Sequence, residues 1–134
     1  MGLDFIITKD LKPRQGFEER VFTFTDDEEG YYWFLYPLFK ELKERTGLSI
    51  DLYEDACFQS ESFIHLKTLI EKAREMVSVQ PDNWDVCTGE QTFPEEKKLY
   101  AKLNKKRFNE ILDKLDSMIR IAEEEKEQIL VCGD

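Results

Sequence analysis

The sequence predicts an α+β fold: a small, mainly antiparallel sheet covered by three helices. Three observations carry that expectation. Phe108, Ile111, Leu112, Leu115, Met118, Ile119 and Ala122 recur at spacings of three, four and seven, which draws one apolar stripe along a helix. Two stretches, 18–25 and 48–53, alternate apolar and polar residues as half-buried strands do. Two short apolar runs, Phe5-Ile6-Ile7 and Ile129-Leu130-Val131-Cys132, stand near the two ends. A helix with one long apolar face needs a sheet or other helices to cover it.

In chain order, residues 3–8 supply the aromatic and branched side chains of a first strand. Pro13 and Gly16 mark a polar connection. A second strand over 18–25 sets Arg20, Phe22 and Phe24 on one side and Val21, Thr23 and Thr25 on the other. Thr25 and Glu28 then fit a capping box for a helix over 31–46 that stops at Gly47. Pro37 should distort that helix, because it deletes one hydrogen bond and clashes one turn back. Its aromatic run, 31–36, reads as core, with Trp33, Phe34, Leu38 and Leu42 toward the sheet. Leu48, Ile50 and Leu52 predict a third strand over 48–53. Ser60 is placed to cap a helix over 61–77, whose face is Phe63, Leu66, Leu69, Ile70, Ala73 and Val77. Residues 78–93, with Pro81 and Gly89, show no helical period and are expected as a loop.

Pro94, Glu95 and Glu96 suit a helix start, so the long C-terminal helix is expected over 95–126. Leu99 and Leu103 lie well around from the Phe108–Ala122 stripe, which predicts two pieces with a break near Asn104. The first piece is basic, through Lys98, Lys102, Lys105 and Lys106. A last strand is expected over 128–132.

At 134 residues and 16.0 kDa, the chain suits a single domain spanning 1–134. No apolar run approaches membrane-spanning length, and Met1 to Lys9 lacks the basic-then-apolar order of a signal peptide. The expected setting is cytoplasmic, with Cys57, Cys87 and Cys132 as thiols. The formal net charge is −10: residues 1–93 hold ten basic and nineteen acidic side chains, residues 94–134 nine and ten. Such a body disfavours free nucleic acid, whose phosphates need lysine and arginine, and it favours a basic protein partner.

The opening Met1-Gly2-Leu3-Asp4, the Tyr32-Trp33 helix start, Glu54-Asp55 before a serine-led helix and a final strand after a long helix resemble one group of small bacterial and phage proteins. Those proteins begin Met-Gly-Leu-Asp and have no assigned activity. The resemblance implies the architecture and no chemistry. This chain departs from the group at Phe34, where a basic residue is usual, and in its Cys132-Gly133-Asp134 ending.

No catalytic set emerges. The one histidine, His65, has no cysteine in a nucleophile motif beside it, and its spacing to Cys57, Cys87 and Cys132 lacks the short pairs of a zinc site. Neither a metal nor a cofactor is expected. Asp51, Glu54 and Asp55 offer the one carboxylate cluster a metal-dependent hydrolase or small-molecule site could use. The favoured function is a non-enzymatic acidic interaction domain of the immunity or inhibitor type. Its predicted contact residues are Asp82, Trp84, Asp85, Glu90, Phe93, Lys98 and Lys102, a tryptophan among charges being a common contact composition. Alternatives are an enzyme with a site near Asp51–Asp55, and a nucleic-acid mimic.

Overall fold

A computed structural model describes residues 3–8, 21–24, 28–91 and 97–133. It is an α+β fold, with two separate sheets among the described residues. The main sheet has four antiparallel strands in the order β2-β1-β6-β3, formed by β1 (Leu3–Thr8), β2 (Val21–Phe24), β3 (Ala56–Phe58) and β6 (Gln128–Gly133). The helices are α1 (Glu29–Thr46), α2 (Phe63–Ser78) and α3 (Lys105–Glu125). Between α2 and α3 lies a two-stranded ribbon, β4 (Asn83–Gln91) and β5 (Lys97–Asn104).

The core forms where the alternating strand residues meet the helix stripes. Leu3, Phe5 and Ile7 of β1, Phe22 and Phe24 of β2, Phe58 of β3 and Ile129 and Val131 of β6 are buried in one cluster with the helices. All seven residues of the predicted α3 stripe, Phe108 to Ala122, are buried in it. So is the predicted face of α2. Its start differs: Ser60–Ser62 form a 3-10 turn, and Ser62 rather than Ser60 stands at the N-cap, without a side-chain capping bond.

α1 runs unbroken through Pro37, which is exposed, so its ring has room and only the bond to the Trp33 carbonyl is given up. The proposed cap, Thr25, lies outside the described residues. Tyr31, Tyr32 and Leu35 enter the core together with Leu38 and Leu42, while Trp33 and Phe34 are half-buried against it.

Three boundaries differ from expectation. Residues 48–53 form no strand; the third strand is Ala56–Phe58. Ile50 and Leu52 are buried as their alternation predicts, but the chain there is held by side chains. The Tyr32 hydroxyl donates to the Ile50 carbonyl at 3.3 Å, and an Asp51 carboxylate oxygen accepts the Tyr53 N–H at 2.7 Å. That local turn replaces a ladder. Residues 83–91 are not a loop but β4, and 97–104 are not helix but β5. The expected break near Asn104 is the strand-to-helix junction itself. Asn104 is extended, and its Oδ1 accepts the Arg107 N–H at 2.9 Å as the N-cap of α3.

Two backbone positions carry testable consequences. Lys126 ends α3 in the left-handed region at φ 56°, where a side chain is strained. Lys126→Gly should raise stability by about 0.5–1 kcal/mol in chemical denaturation. A Cβ on Gly30 would sit 2.7 Å from the Ala101 Cβ and 2.9 Å from Leu103 Cδ2, so only glycine lets the ribbon close on α1. Gly30→Ala should lose about 1–3 kcal/mol despite alanine's better helix propensity.

Candidate protein-contact surfaces

The ribbon holds most of the residues singled out from the sequence. Its register pairs Asn83 with Asn104, Trp84 with Leu103, Asp85 with Lys102, Val86 with Ala101 and Cys87 with Tyr100. A bulge at Thr88 follows, then Gly89 pairs with Leu99, Glu90 with Lys98 and Gln91 with Lys97. Residues opposite one another share a face. Trp84, Val86, Ala101 and Leu103 therefore form the inner face, and Asp85, Cys87, Tyr100 and Lys102 the outer one.

The inner face sits on α1 and the first turn of α3. The Trp84 ring stacks on Phe108 with centroids 6.0 Å apart and 9° between planes, and meets Phe34 edge-on at 5.3 Å. Its indole N–H is buried with no hydrogen-bond acceptor among the described residues, so ring packing sets its position. Leu103 is 1% exposed, while Leu99, further along the same face, is 38% exposed. The base of the ribbon is tied down by polar bonds. The Lys105 N–H donates to the Asp82 carbonyl at 2.9 Å, and the Lys105 ammonium reaches the Ser78 and Gln80 carbonyls at 3.1 Å each. The Asn104 N–H donates to the Tyr31 hydroxyl at 3.1 Å, and its amide to Asn83 Oδ1 at 3.2 Å.

Of the predicted contact residues, the structure brings Asp85 opposite Lys102 on the outer face and Glu90 opposite Lys98 in the register. Trp84 points the other way, into the core. Asp82 lies in the turn ahead of β4, exposed, and contributes its carbonyl to the base. Phe93 lies outside the described residues.

A second surface was not singled out as a contact site from the sequence. Tyr53 is 66% and Tyr36 42% exposed, and the half-buried Trp33 ring stands 5.5 Å from that of Tyr36. Asp51, Glu54 and Asp55 frame Tyr53 in the chain, and none of the three makes an ion pair with a described residue. Pro37, with no N–H, leaves the Trp33 carbonyl without its helical donor beside them. Tyr53 was legible from its alternation with Leu52, and Tyr36 from its place one turn beyond Trp33.

Beneath this patch, Tyr32 is 2% exposed. Burial pushes its hydroxyl up to about 12, and the charge of Asp51 and the neighbouring Tyr36 add to the shift.

Of the three carboxylates that a hydrolase would use, two are engaged in backbone structure: Asp51 accepts from the Tyr53 N–H, and Asp55 Oδ1 from the Gly133 N–H at 3.1 Å. Among the described residues, no three His, Cys, Asp or Glu side chains are grouped to hold a metal ion. His65 lines a depression of ≈ 20 Å³ with Glu41, Arg45 and Lys72. An apolar void of ≈ 30 Å³ lies in the core, and a polar hollow of ≈ 440 Å³ is open beside Gln59, Glu61, Glu123 and Lys126. The first is far below the few hundred Å³ of a ligand pocket, and the second is an open hollow lined, apart from Ala122, by polar and charged residues. No described helix is long and apolar enough to cross a membrane.

Comparison with protein-family profiles, with curated proteins and with solved structures finds no match.

The buried tyrosine yields a pH prediction. Tyr32 is neutral when protonated, so a folded value near 12 against about 10 unfolded means its stabilisation is complete below pH 10. Between pH 10 and 12 the fold should lose roughly 2–3 kcal/mol. Ultraviolet titration of tyrosinate should show one group ionising late, and Tyr32→Phe should remove it.

Proposed function

We propose that this chain is a non-enzymatic protein-interaction domain, of the immunity or inhibitor type, that binds a basic protein partner. The observation carrying this reading is that Tyr36 and Tyr53 are both exposed and both near the buried Tyr32, with Asp51, Glu54 and Asp55 flanking Tyr53 in the chain and without an ion-pair partner among the described residues. Rigid aromatic rings give contact area at low entropic cost, and beside carboxylates they suit lysine or arginine. A cation over such a ring is worth about 0.5–1 kcal/mol at an exposed site.

In the helical layer Glu41 meets Lys72 at 2.7 Å and Arg45 at 2.6 Å, Asp113 meets Arg74 at 2.9 Å, and Glu123 meets Lys67 at 2.6 Å. Cations placed among its acids in this way interrupt the row of negative charge that mimicry of nucleic acid needs.

The test is a titration of the folded protein with an arginine-rich peptide, followed by heteronuclear NMR. Binding should perturb residues 33–36 and 51–55 and weaken steeply with salt. Tyr36→Ala combined with Tyr53→Ala should weaken it at least about tenfold, the loss of one modest hot spot. Equal affinity for the variant and the unaltered chain would remove the patch from the reading.

A further inference from the structure

The ribbon is electrically split along its length. β4, with the sequence NWDVCTGEQ, carries Asp85 and Glu90 and no basic residue; β5, KKLYAKLN, carries three lysines and no acid. Each acid of β4 stands opposite a lysine of β5 in the register. Opposite charges across a pair stabilise it by a few tenths of a kcal/mol, but complete segregation by strand is more than pairing requires. Alternating the signs within each strand would pair as well.

Segregation matters at the edges. The ribbon has two strands among the described residues, so β4 and β5 each have one edge that no described strand covers. Open edges template pairing with another chain. Joining two copies through β4 to β4 would bring acid against acid, and through β5 to β5 lysine against lysine. Both two-fold arrangements are opposed by their charges. Joining β4 of one copy to β5 of the next matches the charges, but it brings together two bodies of net charge −10 and does not close. The β4 edge remains best matched by a strand from a basic partner.

We propose that the edge of β4 over residues 83–87 is a docking site for an extended basic segment of another protein, which adds to the ribbon as a third strand. The bulge at Thr88 ends the regular stretch and so limits the site to those five positions. Across this stretch the residue opposite Asp85 in the incoming strand is a lysine or arginine, which places the carboxylate between that cation and Lys102. The flanking positions of the incoming strand lie beside Trp84 and Val86, both half-buried, and take apolar side chains. The recognised pattern is a cation with apolar neighbours on both sides. This deepens the reading above, on which it rests for the partner's charge. It assigns a different surface, with main-chain pairing supplying affinity and Asp85 supplying the choice of charge.

The experiment uses the full chain and three synthetic peptides: Thr-Val-Lys-Val-Thr, the same peptide with Glu in place of Lys, and the Lys peptide with its second Val replaced by Pro. Amide shifts, and Trp84 fluorescence in a Trp33→Phe background, report where each binds. The Lys peptide should perturb residues 83–87 and bind at least tenfold more tightly than the Glu or Pro peptide. Asp85→Lys should invert the preference between the Lys and Glu peptides. Asp85→Lys with Lys102→Glu restores the cross-strand pair inside the ribbon while leaving a basic β4, and it should keep the inverted preference. A preference that follows the total charge instead would overturn the proposal, as would no binding at 83–87. Should the Lys peptide perturb only 33–36 and 51–55, the β4 site fails and the interaction reading survives. No response to either this peptide or the arginine-rich one defeats both. Sedimentation showing that the chain self-associates through β4 would assign the edge to a second copy and likewise overturn the proposal.

Discussion

Phe108 is where the ribbon, α1 and α3 meet, and the placement of both surfaces follows from its burial. It opens the apolar stripe of α3, is fully buried, and contacts the rings of Tyr31, Phe34 and Trp84 at 5.1, 5.4 and 6.0 Å. Burying one such ring is worth about 1.5–3 kcal/mol, and each well-placed aromatic neighbour adds about 0.5–1.5. The contacts come from two other elements, α1 and β4, so losing the ring would uncouple both from α3 at once. Around it, Asn104 caps α3 while donating its own N–H to Tyr31, and Gly30 lets Ala101 and Leu103 approach α1. With Trp84 held inward by this cluster, the alternation of β4 sends Asp85 outward. The outer face is a consequence of the inner one.

How much of this was readable in the sequence depended on whether periodicity could separate strand from helix. The α3 stripe spans seven residues at mixed spacings of three and four, which only a helix satisfies, and all seven are buried. Leu99 and Leu103 are four apart, a spacing that keeps two residues on one face of either a helix or a strand. Ala101 and Tyr100 should have decided the matter, but alanine favours helices and Pro94 with two glutamates resembles a helix start. Trp84 and Val86 do alternate with Asp85 and Cys87, yet the bulge at Thr88 breaks the period before it becomes persuasive. At 48–53 the period was right and the inference from it was not. An extended chain buries every second residue whether or not a neighbouring strand pairs with it, so Ile50 and Leu52 are buried without a ladder.

The charge imbalance between 1–93 and 94–134 survives folding. Ion pairs cross between the two parts in both directions: Arg107 holds Glu28 through two nitrogens, at 2.7 and 2.8 Å, while Lys67 and Arg74 of the first part pair with Glu123 and Asp113 of the second. Exchanges of this kind leave the first part acidic. Net charge alone could not locate a contact surface here. The proposed surface rests instead on the exposed Tyr53 together with its three neighbouring carboxylates.

α1 separates the two surfaces. Gly30 and Phe34 lie on the side that receives the ribbon, while Trp33 and Tyr36 lie on another, next to the segment carrying Tyr53. Successive residues of a helix point about 100° apart, so Trp33 and Phe34 cannot serve the same neighbour. Pro37 is tolerated because it falls on the exposed, outward side of α1, where its ring has room. A partner engaging both surfaces would have to reach around α1, with an extended strand at β4 and cationic side chains over Tyr36 and Tyr53. Two weak sites on either side of α1, if both are engaged, would bind a single ligand more tightly than either alone, provided the connecting segment spans them. That geometry favours a partner with a flexible basic segment over one with a flat, rigid face.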